Sequence, residues 1–144
     1  LVRLYRQSPT GLMRLTPSTQ RQWGRWLHRI EADFGDIPLH HMETKQATAA
    51  LTSWRNELAS RPRTADYAVQ VVRRLLSFGC SQGLLERNAA KGIEALYRTN
   101  RADVVIEQQE LTAILAHATP HAALAIRLAA ETGLRRGDLV ALRW

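Results

Sequence analysis

The residues with the most specific chemistry lie together near the end of the chain, in the string Glu131-Thr132-Gly133-Leu134-Arg135-Arg136-Gly137-Asp138-Leu139-Val140-Ala141-Leu142-Arg143-Trp144. Arginine carries a planar, permanently charged fork that matches the oxygens of a phosphate or carboxylate. Gly133 can take a left-handed backbone, which ends one helix and redirects the chain. Arg135 then falls at the start of the next helix, where free N–H groups and the helix dipole favour an anion. Asp138 lies three residues on, one turn away, and is expected to hold the guanidinium in place. Leu139 and Leu142 are expected to bury that helix and so fix the arginine on a rigid element. The arrangement suits stabilisation of charge developing on the non-bridging oxygens of a phosphate. Arg136 follows directly but faces another side of the helix. A bare Arg-x-x-Asp pair is more often a surface ion pair, so the weight rests on the whole string.

The elements that position this string are helical throughout. Thr16-Pro17 is a capping residue followed by proline at the first helical position. Trp23, Trp26, Leu27, Ile30 and Phe34 then recur at helical spacing, predicting a helix over 17–33 that stops at Gly35. A second helix is expected over about 43–59, with Ala47, Ala50, Leu51, Trp54 and Leu58 inward, broken by Ser60-Arg61-Pro62. A third runs from near Thr64 to about Gln82. Its apolar stripe is Ala65, Ala68, Val69, Val72, Leu75, Leu76 and Gly79, its polar stripe Arg63, Asp66, Tyr67, Gln70, Arg73, Arg74 and Ser77, and Gly83 ends it. Asn88 caps an expected short fourth helix over 89–97. Residues 1–15, with Pro9 and Gly11 and no clean period, read as a tail.

Residues 98–106 have no helical face and read as a linker. Beyond them a helix is expected from Glu107 to His117 with Leu111, Ile114 and Leu115 inward. Another starts at Pro120 with Leu124, Ala125, Leu128 and Ala129 inward, and breaks at Thr132-Gly133. No period-two strand, internal repeat or low-complexity tract is visible. The chain begins at Leu1 and stops at Trp144 within an apolar pattern, so a cut at the C-terminus, and at the N-terminus as well, is expected.

Charge narrows the partner. The chain of 144 residues carries a net charge of +7, and 18 of its 20 basic residues are arginine; only Lys45 and Lys91 are lysines. Residues 1–100 hold 15 basic and 8 acidic residues, whereas residues 101–144 hold 5 of each, so the entire excess lies in the first hundred. An acidic polymer, nucleic acid first, is the partner this distribution favours over a merely solvated basic surface. Cys80 is the only cysteine, which excludes an intrachain disulfide and makes a reducing compartment the default. No apolar run reaches the roughly 20 residues of a membrane span, and no signal-peptide pattern is visible.

The string over Thr132–Trp144 resembles the box that opens the catalytic domain of tyrosine recombinases of the phage-integrase family: Thr-Gly-Leu-Arg, two residues, an acidic residue and Leu, then Leu-x-Trp. Every anchor of that pattern is present. The preceding order is similar too, with a helical domain of about 85 residues, a short basic linker, a Glu107-Gln108-Gln109-Glu110-Leu111 helix start and an alanine-rich helix. The resemblance covers about residues 16–144, strongest over 129–144, and rests on pattern alone in the N-terminal part.

The resemblance implies an all-α chain: tail 1–15, a SAM-like four-helix core-binding bundle over 16–97, linker 98–106, and at 107–144 the first helices of a truncated α+β catalytic domain. It implies strand cleavage by a tyrosine through a 3′-phosphotyrosyl link, without metal or other cofactor. Arg135, supported by Asp138, would be the first of two catalytic arginines. The family's hairpin lysine, His-x-x-Arg box, late His or Trp and nucleophilic tyrosine have no match here and are expected beyond Trp144. Tyr5, Tyr67 and Tyr97 lie in the wrong domain to serve as nucleophile, so this stretch alone is expected to be inactive.

The implied partner is double-stranded DNA, with self-association of the full-length parent as a tetramer on it, no membrane, and a bacterial or phage cytoplasmic setting. In the family the core-binding domain takes one side of the duplex and the catalytic domain the other, forming a clamp, with the second and fourth helices of the bundle nearest the major groove and the start of the third reaching the backbone. That points to Lys45 and Gln46 on the second helix. It also points to Arg63, Thr64, Tyr67, Gln70 and Arg74 on the third, and to Lys91 on the fourth. Such contacts would supply mainly salt-dependent affinity.

Several residues take a plainer reading. Trp23, Trp26 and Trp54 are core at this spacing rather than base-stacking rings, and Cys80 is a small hydrophobe. His40-His41 has no third residue spaced to complete a metal site. Two other functions stay open: a non-enzymatic helical DNA-binding regulator, which would need helix-turn-helix spacing, and a helical protein-interaction domain, which would bind no duplex.

Overall fold

The computed structural model describes residues 1–98 and 105–143. Among these every regular element is helical, with no strand. The chain divides into two compact units, Leu1–Thr99 and Asn100–Trp144.

The first unit is built on four α-helices: α1 (Val2–Gln7), α2 (Pro17–Phe34), α3 (Lys45–Glu57) and α4 (Pro62–Ser81). Local signals set α2 and α3. The Thr16 hydroxyl accepts from the Thr19 amide and the Thr44 hydroxyl from the Ala47 amide, each satisfying an otherwise orphaned N–H of the first turn. Leu27 and Leu51 are almost fully enclosed, as are Trp23, Ile30 and Trp54 around them. Trp54 donates from its indole nitrogen to Asp33 Oδ2 at 2.6 Å, which gives the polar end of a buried ring its partner.

Helix α4 is the centre of the unit. Nine of its residues are buried, and they include Val71 and Phe78, which lie off the expected apolar stripe. What covers that extra face is α1. The expectation of an N-terminal tail is therefore corrected: Tyr5 is 0 % exposed, its ring edge-on to Phe78 at 5.2 Å and stacked near Trp23 at 6.4 Å. A helix of six residues is marginal alone; burying a tyrosine ring contributes on the order of 2 kcal/mol and holds it. Gly11 is where the chain turns back over it. A Cβ there would sit 2.2 Å from the Tyr5 carbonyl oxygen, so only glycine allows the approach.

The fourth helix expected over 89–97 does not form. Residues 89–92 are turns, followed by irregular chain. The reason is competition for the backbone. Asn88 does cap, accepting from the Ala90 amide, but its amide nitrogen donates to the Arg73 carbonyl and Ser77 hydroxyl. Arg73 takes the carbonyls of Ala90 and Ile93, and Arg55 takes that of Glu94. Asp66 accepts the amides of Leu96 and Tyr97, both at 2.8 Å. Groups that a helix would pair internally are thus bonded to side chains of α3 and α4. Leu85, Ala89, Ala90 and Ile93 still bury their side chains in the core.

The second unit contains α5 (Gln108–His117), α6 (Pro120–Thr132) and α7 (Arg136–Ala141). A Glu107–Glu110 capping box opens α5 and the Thr119 hydroxyl caps α6. None of its described residues is buried. Leu111 and Leu115 are half-buried, but Ile114, expected inward, is exposed. On α6 the half-buried residues are Ala123, Ile126, Leu128 and Ala129, whereas Leu124 and Ala125 are exposed, contrary to expectation. Of the expected linker only residues 98, 105 and 106 are described; Val105 and Ile106 are exposed.

Candidate nucleic-acid interface and the Arg135 turn

In the first unit the expected DNA-facing residues are spread over the start of α3, the length of α4 and the turn at Lys91. Lys45 and Gln46 are exposed in the first turn of α3. Lys91 is exposed on a turn rather than on a helix. The Thr48 hydroxyl donates to the Ala89 carbonyl at 3.0 Å, so the start of α3 and the Ala89–Lys91 turn lie side by side. Gln46 also lines a surface cleft of about 410 Å3 with Phe34, Ile37, His41 and Met42.

Along α4 the candidates diverge. Thr64 and Gln70 are exposed. Tyr67 is half-buried against the core, so packing occupies part of its ring. Arg63 is engaged: it donates to the Tyr97 hydroxyl and its guanidinium lies 4.2 Å from that ring's centroid. Arg74 is exposed beside Tyr5, on the side of α4 that meets α1. Burial pushes the Tyr5 phenol above its ordinary pKa, and the Arg74 guanidinium pulls the other way. Arg63 and Arg74 are eleven residues apart, about 16 Å along the axis.

Two arginines that hold the fold together were not singled out from sequence. Arg55 is 8 % exposed, the only buried charged residue among those described, and donates to Glu94 O at 2.5 Å. Arg73 donates to Ala90 O and Ile93 O at 3.1 and 2.8 Å. Both fasten the 88–97 segment. The available signal was Arg55 at i+4 from Leu51, on the apolar face of α3.

In the second unit the turn into α7 follows the expected geometry at the backbone. Gly133 has φ +68, and its amide bonds the Ala129 carbonyl at 2.9 Å, closing α6. The Thr132 hydroxyl donates to the Leu128 carbonyl and accepts from the Leu134 amide. Arg135 is extended, with φ −72 and ψ 153, and its carbonyl accepts from the Asp138 and Leu139 amides at 2.9 and 3.0 Å.

The side chains differ from expectation. Among the described residues no ion pair joins Arg135 to Asp138; both are exposed, and water competes for such a pair. The one bond between the two residues is the Asp138 amide to the Arg135 carbonyl, which any residue at position 138 would make. Leu139 is half-buried, but Leu142 is 43 % exposed, so α7 is not anchored as expected. The last anchor of the string, Trp144, lies outside the described residues.

Among the described residues no group of three or more His, Cys, Asp or Glu could hold a metal ion, and no helix is long and apolar enough to cross a membrane. The chain matches no protein-family model, and comparison with curated proteins and with solved structures finds no match.

Proposed function

We propose that this chain is the DNA-binding domain and the opening of the catalytic domain of a tyrosine recombinase. The α1–α4 bundle is read as the core-binding domain, and α5–α7 as the first helices of the catalytic fold. The observation that carries the reading is the Gly133–Arg135 turn. A left-handed glycine ends α6, and Arg135 follows exposed at the start of α7, within a string that resembles the family's box.

In that role Arg135 donates to the non-bridging oxygens of the scissile phosphate. A tyrosine oxygen attacks the phosphorus, the bond to the 5′ oxygen breaks, and a 3′-phosphotyrosyl link results. Tyr5 is sealed in the core, Tyr67 is half-buried, and Tyr97 packs on Arg63, so none of them is poised for attack. The nucleophile is assigned to the parent protein outside residues 1–144. DNA affinity is assigned to the first unit, where the net positive charge resides.

The test is Arg135→Ala in the full-length parent. Strand cleavage should fall by about 100-fold or more, with duplex binding retained. An active variant would refute the catalytic assignment. The 144-residue chain itself should bind duplex DNA with affinity that drops steeply as salt rises.

A further inference from the structure

We infer that the outward ridge of α2, formed by Arg21, Arg25 and His28, is a second phosphate-binding face for nucleic acid, separate from the candidates on α3, α4 and the Ala89–Lys91 turn. The inference rests on the nucleic-acid reading above and adds a surface to it.

Helix α2 turns Trp23, Leu27 and Ile30 into the core, where it packs on α4. Arg21, Arg25 and His28 are spaced by four and three residues and lie on the opposite side of the helix, all exposed. Ser18, Gln22 and Ala32 flank them, exposed and uncharged.

The two acidic residues of α2 are already committed. Glu31 is paired with Arg6 at 3.3 Å, and Asp33 holds both Arg29 at 3.3 Å and the Trp54 indole. No carboxylate on this helix is therefore left to neutralise the ridge. Among the described residues neither Arg21 nor Arg25 has an ion pair or a side-chain hydrogen bond. The arginines differ in this from Arg55, whose fork is shared between the Glu94 carbonyl and Asn56 Oδ1, and from Arg73, bonded to the Ala90 and Ile93 carbonyls.

Four residues of helix rise about 6 Å. The two guanidiniums can thus each take a phosphate on one strand, whose charges recur about every 3.4 Å of duplex axis. An anionic lipid surface is the less favoured partner. An interfacial helix needs an apolar face to insert, and that of α2 is already buried in the core.

The experiment measures binding of the 144-residue chain to a mixed-sequence duplex over a series of salt concentrations. Arg21→Ala/Arg25→Ala should make the slope of log affinity against log salt shallower by about 2, with an unchanged thermal midpoint. Arg21→Lys/Arg25→Lys should restore the slope. The loss should add to that of Lys45→Ala/Lys91→Ala, as independent faces require.

If the wild-type chain binds duplex and the double alanine variant keeps its slope, the ridge is refuted while the broader reading stands. If that variant instead loses binding to anionic vesicles with its DNA slope unchanged, the ridge serves a lipid surface and the inference is overturned. If the wild type binds no duplex even at low salt, the nucleic-acid reading falls and this inference with it.

Discussion

The Tyr5 ring meets Phe78 edge-on at 5.2 Å, joining the first helix of the chain to the last turns of α4. The contact accounts for the burial of Phe78, which lies off the expected apolar stripe of α4. It also places Arg74 beside a sealed hydroxyl, which ties one candidate DNA contact to the core.

Tyr5→Phe should separate packing from ionisation. The Tyr5 hydroxyl is buried and meets no polar group besides the Arg74 guanidinium, with which it makes no well-formed hydrogen bond, so its removal should change neutral-pH stability by no more than about 1 kcal/mol. Burial favours the neutral phenol, so the folded pKa lies above the ordinary value of about 10. The resulting stability is fully present below about pH 10 and is lost as pH rises through the folded value. Urea unfolding across the alkaline range should show a loss in the wild type that the variant lacks. Equal losses in both proteins would show that Tyr5 does not titrate against folding.

Asp66→Ala should loosen the 88–97 segment. The carboxylate accepts two backbone amides, from Leu96 and Tyr97, and is half-buried. Its removal should cost about 1–3 kcal/mol. Hydrogen exchange at the Leu96 and Tyr97 amides should accelerate while exchange in the middle of α4 changes less. Unchanged protection at those two amides would mean that Asp66 does not hold the segment.

Gly133→Ala should fray the end of α6. The position has φ +68, where a Cβ costs about 1 kcal/mol, and no atom stands within 4 Å of that Cβ, so the cost is one of backbone conformation. The amide of position 133, bonded to the Ala129 carbonyl, should exchange faster. Gly133→Asn should recover part of the protection, because asparagine tolerates the left-handed region better. Equal protection in all three proteins would remove the glycine's conformational role.

Sequence alone determined the parts governed by neighbours along the chain. Helical periodicity, with the Thr16 cap for α2, placed α2 and α3 within a few residues. Gly83 and Gly133, both at φ +68, marked the stops that their missing Cβ permits. The position of Arg135 after a left-handed turn was legible for the same reason, since Gly133 bonds a carbonyl only four residues back.

Tertiary structure decided whatever depends on distant partners. Residues 1–15 carry too weak a period to show that Tyr5 would fill a gap beside Phe78. The 89–97 stretch has a good cap in Asn88, yet Arg55, Arg73 and Asp66, from 17 to 39 residues away, claim its backbone groups first. Arg63 looked free on a polar stripe until Tyr97 came to lie over it. The Arg135–Asp138 pair, correct in spacing, is not made, because spacing sets only reach, and two exposed charges gain little over water.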